Sequence, residues 1–360
     1  MANAILAVGL GGIGLLIIAM VALRKASAGL YLFRRLATRR MGRQRPRLAS
    51  SNELVVLLCG TGSPLPDPDR AGPSALVAAG DRFFVIDAGI ASVRNLLLWR
   101  VSLDQLGGIL VTHFHSDHIA ELGELNLQSW VAGRGVPLKV YGPPGIERVI
   151  TGFNQAYAHD TAYRILHHGK DLLHSHVAGL EAITVTMPAA DHTAVVFEAD
   201  GLKITAIRVH HDPAKPAYGY RFDYRGRSVV ISGDTAADQN LARAATGTDV
   251  LVHDALNPQM IKALEEAMTA SGNLRAAKIM RDIPSYHASP IEAAQIANST
   301  GARLLVLTHM LPMLPNGAAR RLFLSGVRAI RPDGVMLGCD GHLFRLPAES
   351  TVIHTTRLRA

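Results

Sequence analysis

A chain of 360 residues that is 48% hydrophobic, with 33 Gly, 18 Pro and only 2 Cys, is neither disordered nor collagen-like nor a disulfide-stapled scaffold. Its net charge of +8 is uneven: Arg24, Lys25, Arg34, Arg35, Arg39, Arg40, Arg43, Arg45 and Arg47 all precede the first acid, Glu53, so removing their +9 leaves the body at −1. A body so close to neutral gives no support for a nucleic-acid face, although a local patch can hide in such a sum. Cys59 and Cys339 share no CxxC spacing, so no zinc ribbon or redox pair is readable.

In chain order, the first feature is the uncharged run of residues 4–23, whose twenty residues cover about 30 Å as a helix, the thickness of a bilayer core. With the cations after it, the run predicts one transmembrane helix (residues 1–25) with the body in the cytoplasm. The alternative is an export signal cleaved near Ala26-Ser27-Ala28, which places the body in the periplasm. Gly9-x-Gly11-x-x-Gly14 matches a dinucleotide fingerprint in letters only, since no strand precedes it. Residues 26–52 read as a basic linker, solvated or lying on anionic headgroups.

From residue 53 to 360 the pattern becomes one α/β domain. Short β-branched runs predict strands at Leu54–Leu58, Phe83–Ile86, Ile109–Thr112, Leu138–Tyr141, Ile204–Val209, Ser228–Ile231, Val250–Val252 and Leu304–Thr308. Helices are predicted at Asp117–Trp130, Gln259–Ala270 and Pro290–Ser299, where Ser or Pro supplies cap chemistry. Residues 145–200, helix-like and rich in His, read as an insertion over the sheet. Polar residues just past strand ends converge on a shared crevice in such folds. Here those ends carry His113, His210-His211, Asp234, His253-Asp254 and His309.

The densest of them is Thr112-His113-Phe114-His115-Ser116-Asp117-His118. In an extended segment His113 and His115 point to one side, and a following helical turn brings Asp117 and His118 to the same point. Three imidazoles and a carboxylate suit Zn²⁺, with Mn²⁺ or Fe²⁺ as substitutes. One segment cannot close two coordination shells, and the strand-end His211, Asp234 and His309 supply the rest. Seven ligands then serve two metals, with the Asp234 carboxylate shared between them.

These motifs resemble the metallo-β-lactamase-fold hydrolases, in the branch with tRNase Z and arylsulfatase-like enzymes, over roughly residues 54–345. The resemblance rests on LLCGTGSP (Leu57–Pro64), IDAG (Ile86–Gly89), THFHSDH (Thr112–His118), PAYGYRF (Pro216–Phe222), SGDT (Ser232–Thr235), LVHDA (Leu251–Ala255), YHAS (Tyr286–Ser289) and LTHM with His309, in that order. It implies a four-layered αββα sandwich. One metal takes His113, His115 and His211, the other Asp117, His118 and His309, and Asp234 bridges. His211 is preferred to His210 by its distance to Gly219, which leaves His210 to the layer beneath. The implied chemistry is attack on an ester by a hydroxide between two metals, with Asp117 at the reacting centre, His287 as proton donor and Asp254 orienting it. His253 reads as structural.

Bacterial tRNase Z-like enzymes carry a long arm for tRNA after the GYR segment, whereas some nine residues separate Arg221 from Val230 here. With the near-neutral body, this points to a small phosphodiester, aryl sulfate or carboxylic ester and disfavours a nucleic-acid partner. The alternatives are a tRNase Z-like endoribonuclease, a ring-opening lactonase or β-lactamase-type hydrolase, and a non-catalytic metal sensor. Phe153, Tyr157 and Tyr163 of the insertion either line a substrate pocket or pack as core. The resemblance also implies a homodimer.

Overall fold

The computed structural model describes residues 26–42, 52–188 and 191–359, together with Ile18, Met20, Val21 and Leu48. The chain divides into two compact units, residues 1–46 and 47–360. In the first, Ala26–Met41 forms helix α1, which carries Arg34, Arg35, Arg39 and Arg40. At sixteen residues it is about 24 Å long, too short and too charged for a bilayer core of about 30 Å. Among the described residues no helix is long and apolar enough to cross a membrane. The expected span at residues 4–23 lies outside the described residues but for Ile18, Met20 and Val21. The transmembrane anchor is therefore corrected, and with it the membrane partner and the cytoplasmic or periplasmic placement drawn from it. Twenty apolar residues meet a length criterion, and length alone does not make a span.

The second unit holds two sheets. Strands β1 (Glu53–Gly60), β2 (Ser74–Ala79), β3 (Arg82–Ile86), β4 (Leu106–Leu110), β5 (Leu138–Gly142) and β6 (Leu180–Thr184) begin the first. The second contains β7 (Thr193–Ala199), β8 (Leu202–Val209), β9 (Ala217–Tyr224), β10 (Arg227–Ile231), β11 (Val250–Leu256), β12 (Leu304–Leu311) and β13 (Val335–Leu337). β14 (His342–Pro347) and β15 (His354–Arg357) return to the first sheet, giving the orders β15-β14-β1-β2-β3-β4-β5-β6 and β13-β12-β11-β10-β9-β8-β7.

β1 shows why the sheets stack. Its side chains alternate faces, and both faces are buried, so the strand reads as an unbroken apolar run. Leu54, Val56 and Leu58 pack with Phe84, Tyr220, Phe222, Val252 and Val306 between the two sheets. Val55 and Leu57 pack on the other side, against Val93 and Leu96 of α2 (Ser92–Leu98). Full burial of each such side chain contributes about 1.5–3 kcal/mol.

The same outer layer includes α4 (Leu122–Val131) through Leu122 and Leu125, and α5 (Ile146–His168) through Ile146 and Ile150. On the far side, Val230, Leu251, Leu305 and Leu307 meet Leu241 of α6 (Gln239–Ala244) and Ala293, Ala294 and Ala297 of α9 (Pro290–Thr300). The result is the expected helix–sheet–sheet–helix sandwich.

Predicted helix starts carry their cap chemistry. Asn257 accepts from the Met260 amide ahead of Pro258 at the start of α7 (Pro258–Ala270), as Asn273 does from the Ala276 amide at α8 (Leu274–Asp282). Ser289 and Glu292 close a capping box on α9, with Pro290 at its first position. The predicted helix Asp117–Trp130 is instead two pieces, α3 (Ser116–Ile119) and α4. The break occurs where the loop after β3 takes over: the Ala88 amide donates to His118 O, the Glu121 amide donates to Ala88 O, and the Glu121 carboxylate accepts from Ala91 and Val93 amides. The segment at residues 145–200 supplies α5 and also one edge strand of each sheet, β6 and β7.

Candidate metal centre

β4 ends at Leu110, and the chain beyond it is fixed by Asp87, just past β3. The Asp87 carboxylate accepts from the Thr112 amide (2.8 Å), the Thr112 hydroxyl (2.8 Å) and His118 Nδ1 (2.7 Å). His118 therefore carries its proton on Nδ1 and turns Nε2 inward. That nitrogen is buried and has no hydrogen-bond partner, although Asp234 Oδ2 lies 3.2 Å away and Asp117 Oδ2 3.5 Å away. A buried imidazole nitrogen left without a hydrogen-bond partner and facing two carboxylates fits a cation.

Around a neighbouring point, His113 Nε2 approaches His115 Nδ1 at 2.9 Å and His211 Nε2 approaches the same atom at 3.3 Å. His211 Nδ1 donates to Tyr286 O at 3.0 Å, which fixes its tautomer and its aim. Of the tandem pair, His211 is buried and joins the cluster, while His210 is exposed and lines an open cleft with Arg208 and Lys215. His210 thus faces solvent rather than the layer beneath, because the chain leaves the sheet at Val209 and is no longer held between layers.

The remaining donors come from strand ends of the second sheet. Asp234 follows Gly233, whose φ of 63° and whose missing Cβ matter: a Cβ there would meet Tyr218 O at 2.6 Å. Asp234 Oδ2 lies 3.2 Å from His309 Nε2 and 4.0 Å from His211 Nε2, so one carboxylate faces both halves of the cluster. His309 is an inserted residue within β12: Asp254 pairs with Thr308 and Ala255 with Met310, and His309 itself has φ 46°. This bulge turns its ring toward Asp117 Oδ2, 3.3 Å away.

The triads His113–His115–His211 and Asp117–His118–His309 each bring three ligand atoms within 4.8 Å of one another, as do His113–His118–Asp234 and His211–Asp234–His287. Their donor chemistry, imidazole nitrogen and carboxylate oxygen, fits borderline divalent ions. Electrostatics divides the ligands. Burial pushes His113, His115 and His211 below the ordinary histidine range. Burial is the largest single influence on His118 and His309 and opposes their charged forms, but Asp234 together with Asp87 at His118, and together with Asp117 at His309, outweighs it, so both move up. Burial likewise works against the Asp234 carboxylate, and the facing His309 and His118 hold it well below the usual range.

Beside the cluster, His287 Nδ1 donates to Asp254 Oδ2 at 2.8 Å, leaving Nε2 toward Asp234 and His211. Asp254 Oδ1 lies 3.1 Å from His253 Nδ1, and His253 is fully buried. All seven expected ligands, His287 and Asp254 are thus brought together. Asp87 was missed as a positioning group, although IDAG marks a strand end of the same kind. Phe153 and Tyr157 pack into the helical layer, and Tyr163 stacks on His159 at the surface.

A family profile described as Beta-lactamase superfamily domain matches residues 82–310. The ribonuclease Z of Mycobacterium bovis is 38% identical over 270 residues, covering 73% of this chain and 88% of that protein. The ribonuclease Z of Mycolicibacterium paratuberculosis is 35% identical over 304 residues, covering 82% and 100%. Among solved structures, the metallo-beta-lactamase fold protein YhfI of Bacillus subtilis has a TM-score of 0.59 at 19% identity, covering 82% of this chain and 100% of that one. Human tRNase Z, short form, has a TM-score of 0.56 at 19% identity, covering 81% and 99%. These last two speak for a shared fold.

Proposed function

The chain belongs to the metallo-β-lactamase-fold hydrolases, and from that footing we propose that it is a metal-dependent phosphodiesterase of the ribonuclease Z kind, with RNA as its substrate. The observation that carries this reading is the complete His/Asp cluster, in a chain 38% identical to a ribonuclease Z over 88% of that protein's length. It replaces the expectation of an aryl sulfate or carboxylic ester. That expectation leaned on net charge, which averages over a surface and says nothing of where the charge sits.

In this reading His113, His115 and His211 would hold one ion, Asp117, His118 and His309 would hold the second, and the Asp234 carboxylate would serve both. The nitrogen-rich donor set favours Zn²⁺. When bound, such ions supply Lewis acidity toward the phosphoryl oxygens and ionised water at neutral pH. The chain's own residues do the rest. His287 Nε2 faces the cluster and delivers a proton to the leaving oxygen, while Asp254 holds that ring by its Nδ1 and fixes its orientation. Asp87 and Tyr286 O fix the tautomers of His118 and His211.

A second reading, a small phosphodiester, is favoured by one feature. β9 and β10 are joined by a two-residue turn, Arg225-Gly226, with φ 47° and 73°, where a tRNA-binding arm would have to emerge. The test is cleavage of a precursor tRNA with a 3′ trailer by zinc-loaded protein, beside bis-p-nitrophenyl phosphate. Metal-dependent release of the trailer supports the RNA reading. Turnover of the small diester with no cleavage of any precursor moves the substrate to a small phosphodiester.

A further inference from the structure

The near-zero net charge of the body conceals a concentrated basic surface. From Gly317 to Pro332 the sequence holds Arg320, Arg321, Arg328 and Arg331 and no acid. Helices α10 (Gly317–Phe323) and α11 (Val327–Ile330), with Arg331 just past the second, place all four around an open cleft of about 630 Å³, in whose lining Asp333 is the only acid. The four are not equivalent. Arg331 is spent on the fold: it donates to Asn298 Oδ1 (2.9 Å), Ala302 O (2.6 Å) and Arg303 O (3.1 Å). Arg320, Arg321 and Arg328 are exposed and take part in no ion pair found among the described residues. Arg321 has one long bond, from Nε to Gly317 O of its own helix (3.4 Å). Three exposed guanidinium groups sharing a cleft with the single acid Asp333 leave a net positive charge, and a polyanion relieves their mutual repulsion.

We propose that this cleft is a second contact site for the phosphate backbone of the RNA, holding the body of the substrate while the scissile bond lies at the metal centre. The inference rests on the RNA reading above. Its lining has no aromatic platform and no amide side chain, so it reads charge and not base identity, which suits backbone positioning better than a nucleotide pocket. Its place also suits the task. Val335, at the rim, pairs with Leu305 on β12, four residues before His309, which is about 13 Å along a strand and one strand spacing aside. A separation of that order lies within the reach of a short stretch of RNA engaged at the metals. The tight β9–β10 turn leaves the chain without an arm at that point, so the grip on RNA has to come from elsewhere.

The experiment compares the full-length wild type with Arg320→Ala/Arg321→Ala/Arg328→Ala, leaving Arg331 in place. A charge-matched control, Arg94→Ala/Lys139→Ala/Arg148→Ala, removes three exposed cations elsewhere. Binding of a precursor tRNA is measured against salt, and bis-p-nitrophenyl phosphate hydrolysis reports on folding and the metal centre. The expected result for the cleft variant is at least a tenfold loss of RNA affinity and a salt slope shallower by about two, at roughly 0.7–0.9 per phosphate contact. Small-diester turnover should stay unchanged and the control should keep most of its affinity. An equal loss in the control reduces the effect to net charge and overturns the inference, as does an unchanged slope in the cleft variant. An equal loss of small-diester turnover overturns it too. A wild type that binds no RNA at low salt overturns the RNA reading itself, a result separable from all of these.

Discussion

The two sheets build their shares of the metal cluster in opposite ways. The first delivers His113, His115, Asp117 and His118 from six consecutive positions, all held by one loop that the Asp87 carboxylate ties to β3. The second delivers His211, Asp234, Asp254 and His309 singly, each from a different strand, so their mutual geometry depends on the parallel register of β10, β11 and β12. The first share is local and hangs on one anchor. The second is distributed and hangs on the packed sheet; three of the four metal-sized groups draw on both shares, and His211–Asp234–His287 lies wholly on the second side. Asp234 is where the shares meet.

The comparison breaks most visibly at Asp234. Asp234→Ala removes the carboxylate common to both halves and should lower turnover by about a thousandfold or more, as expected when several kcal/mol of metal-assisted stabilisation is lost. Steady-state rates together with metal analysis check this, and near-normal activity with a full metal load would show that the halves work independently.

His287→Ala sharpens the comparison from the distributed side. A lost proton donor costs on the order of 10²–10⁴-fold in kcat, with metal content retained. Loss of metal in this variant would instead make His287 a ligand.

Asp87→Asn acts on the local side. An amide cannot accept equally from Thr112 and His118, and weakening such an outer contact costs about 10–100-fold in metal affinity, read by titration against a chelator. A change confined to stability would limit Asp87 to folding.

The smallest effect concerns pH. Histidine must shed its proton to bind a metal, so affinity falls as pH falls. Asp234 and neighbouring carboxylates hold His118 and His309 above the ordinary range, whereas burial holds His113, His115 and His211 below it. Acidification should therefore release one equivalent of metal, that of Asp117, His118 and His309, before the other. Simultaneous loss at all pH values would contradict this ordering.

What the sequence discloses follows the same division. The local share is legible because extended and helical periodicities bring neighbours to one face within six residues. Asp234 and His211 are legible as strand ends, since such ends share a crevice. His309 reaches the site by an inserted residue with positive φ, and nothing in Leu-Thr-His-Met announces a bulge. The break between α3 and α4 is equally silent, because the competing hydrogen bonds come from the loop after β3. The arginine cleft was invisible to net charge for the same reason: position, not composition, creates it.

Metal stoichiometry of the purified, zinc-loaded protein and of Asp234→Ala tests the central claim most directly. The account predicts two equivalents per wild-type chain and loss of at least one in the variant, with the fold retained by circular dichroism. One equivalent or none in a folded, active wild type would contradict a centre shared between the two sheets.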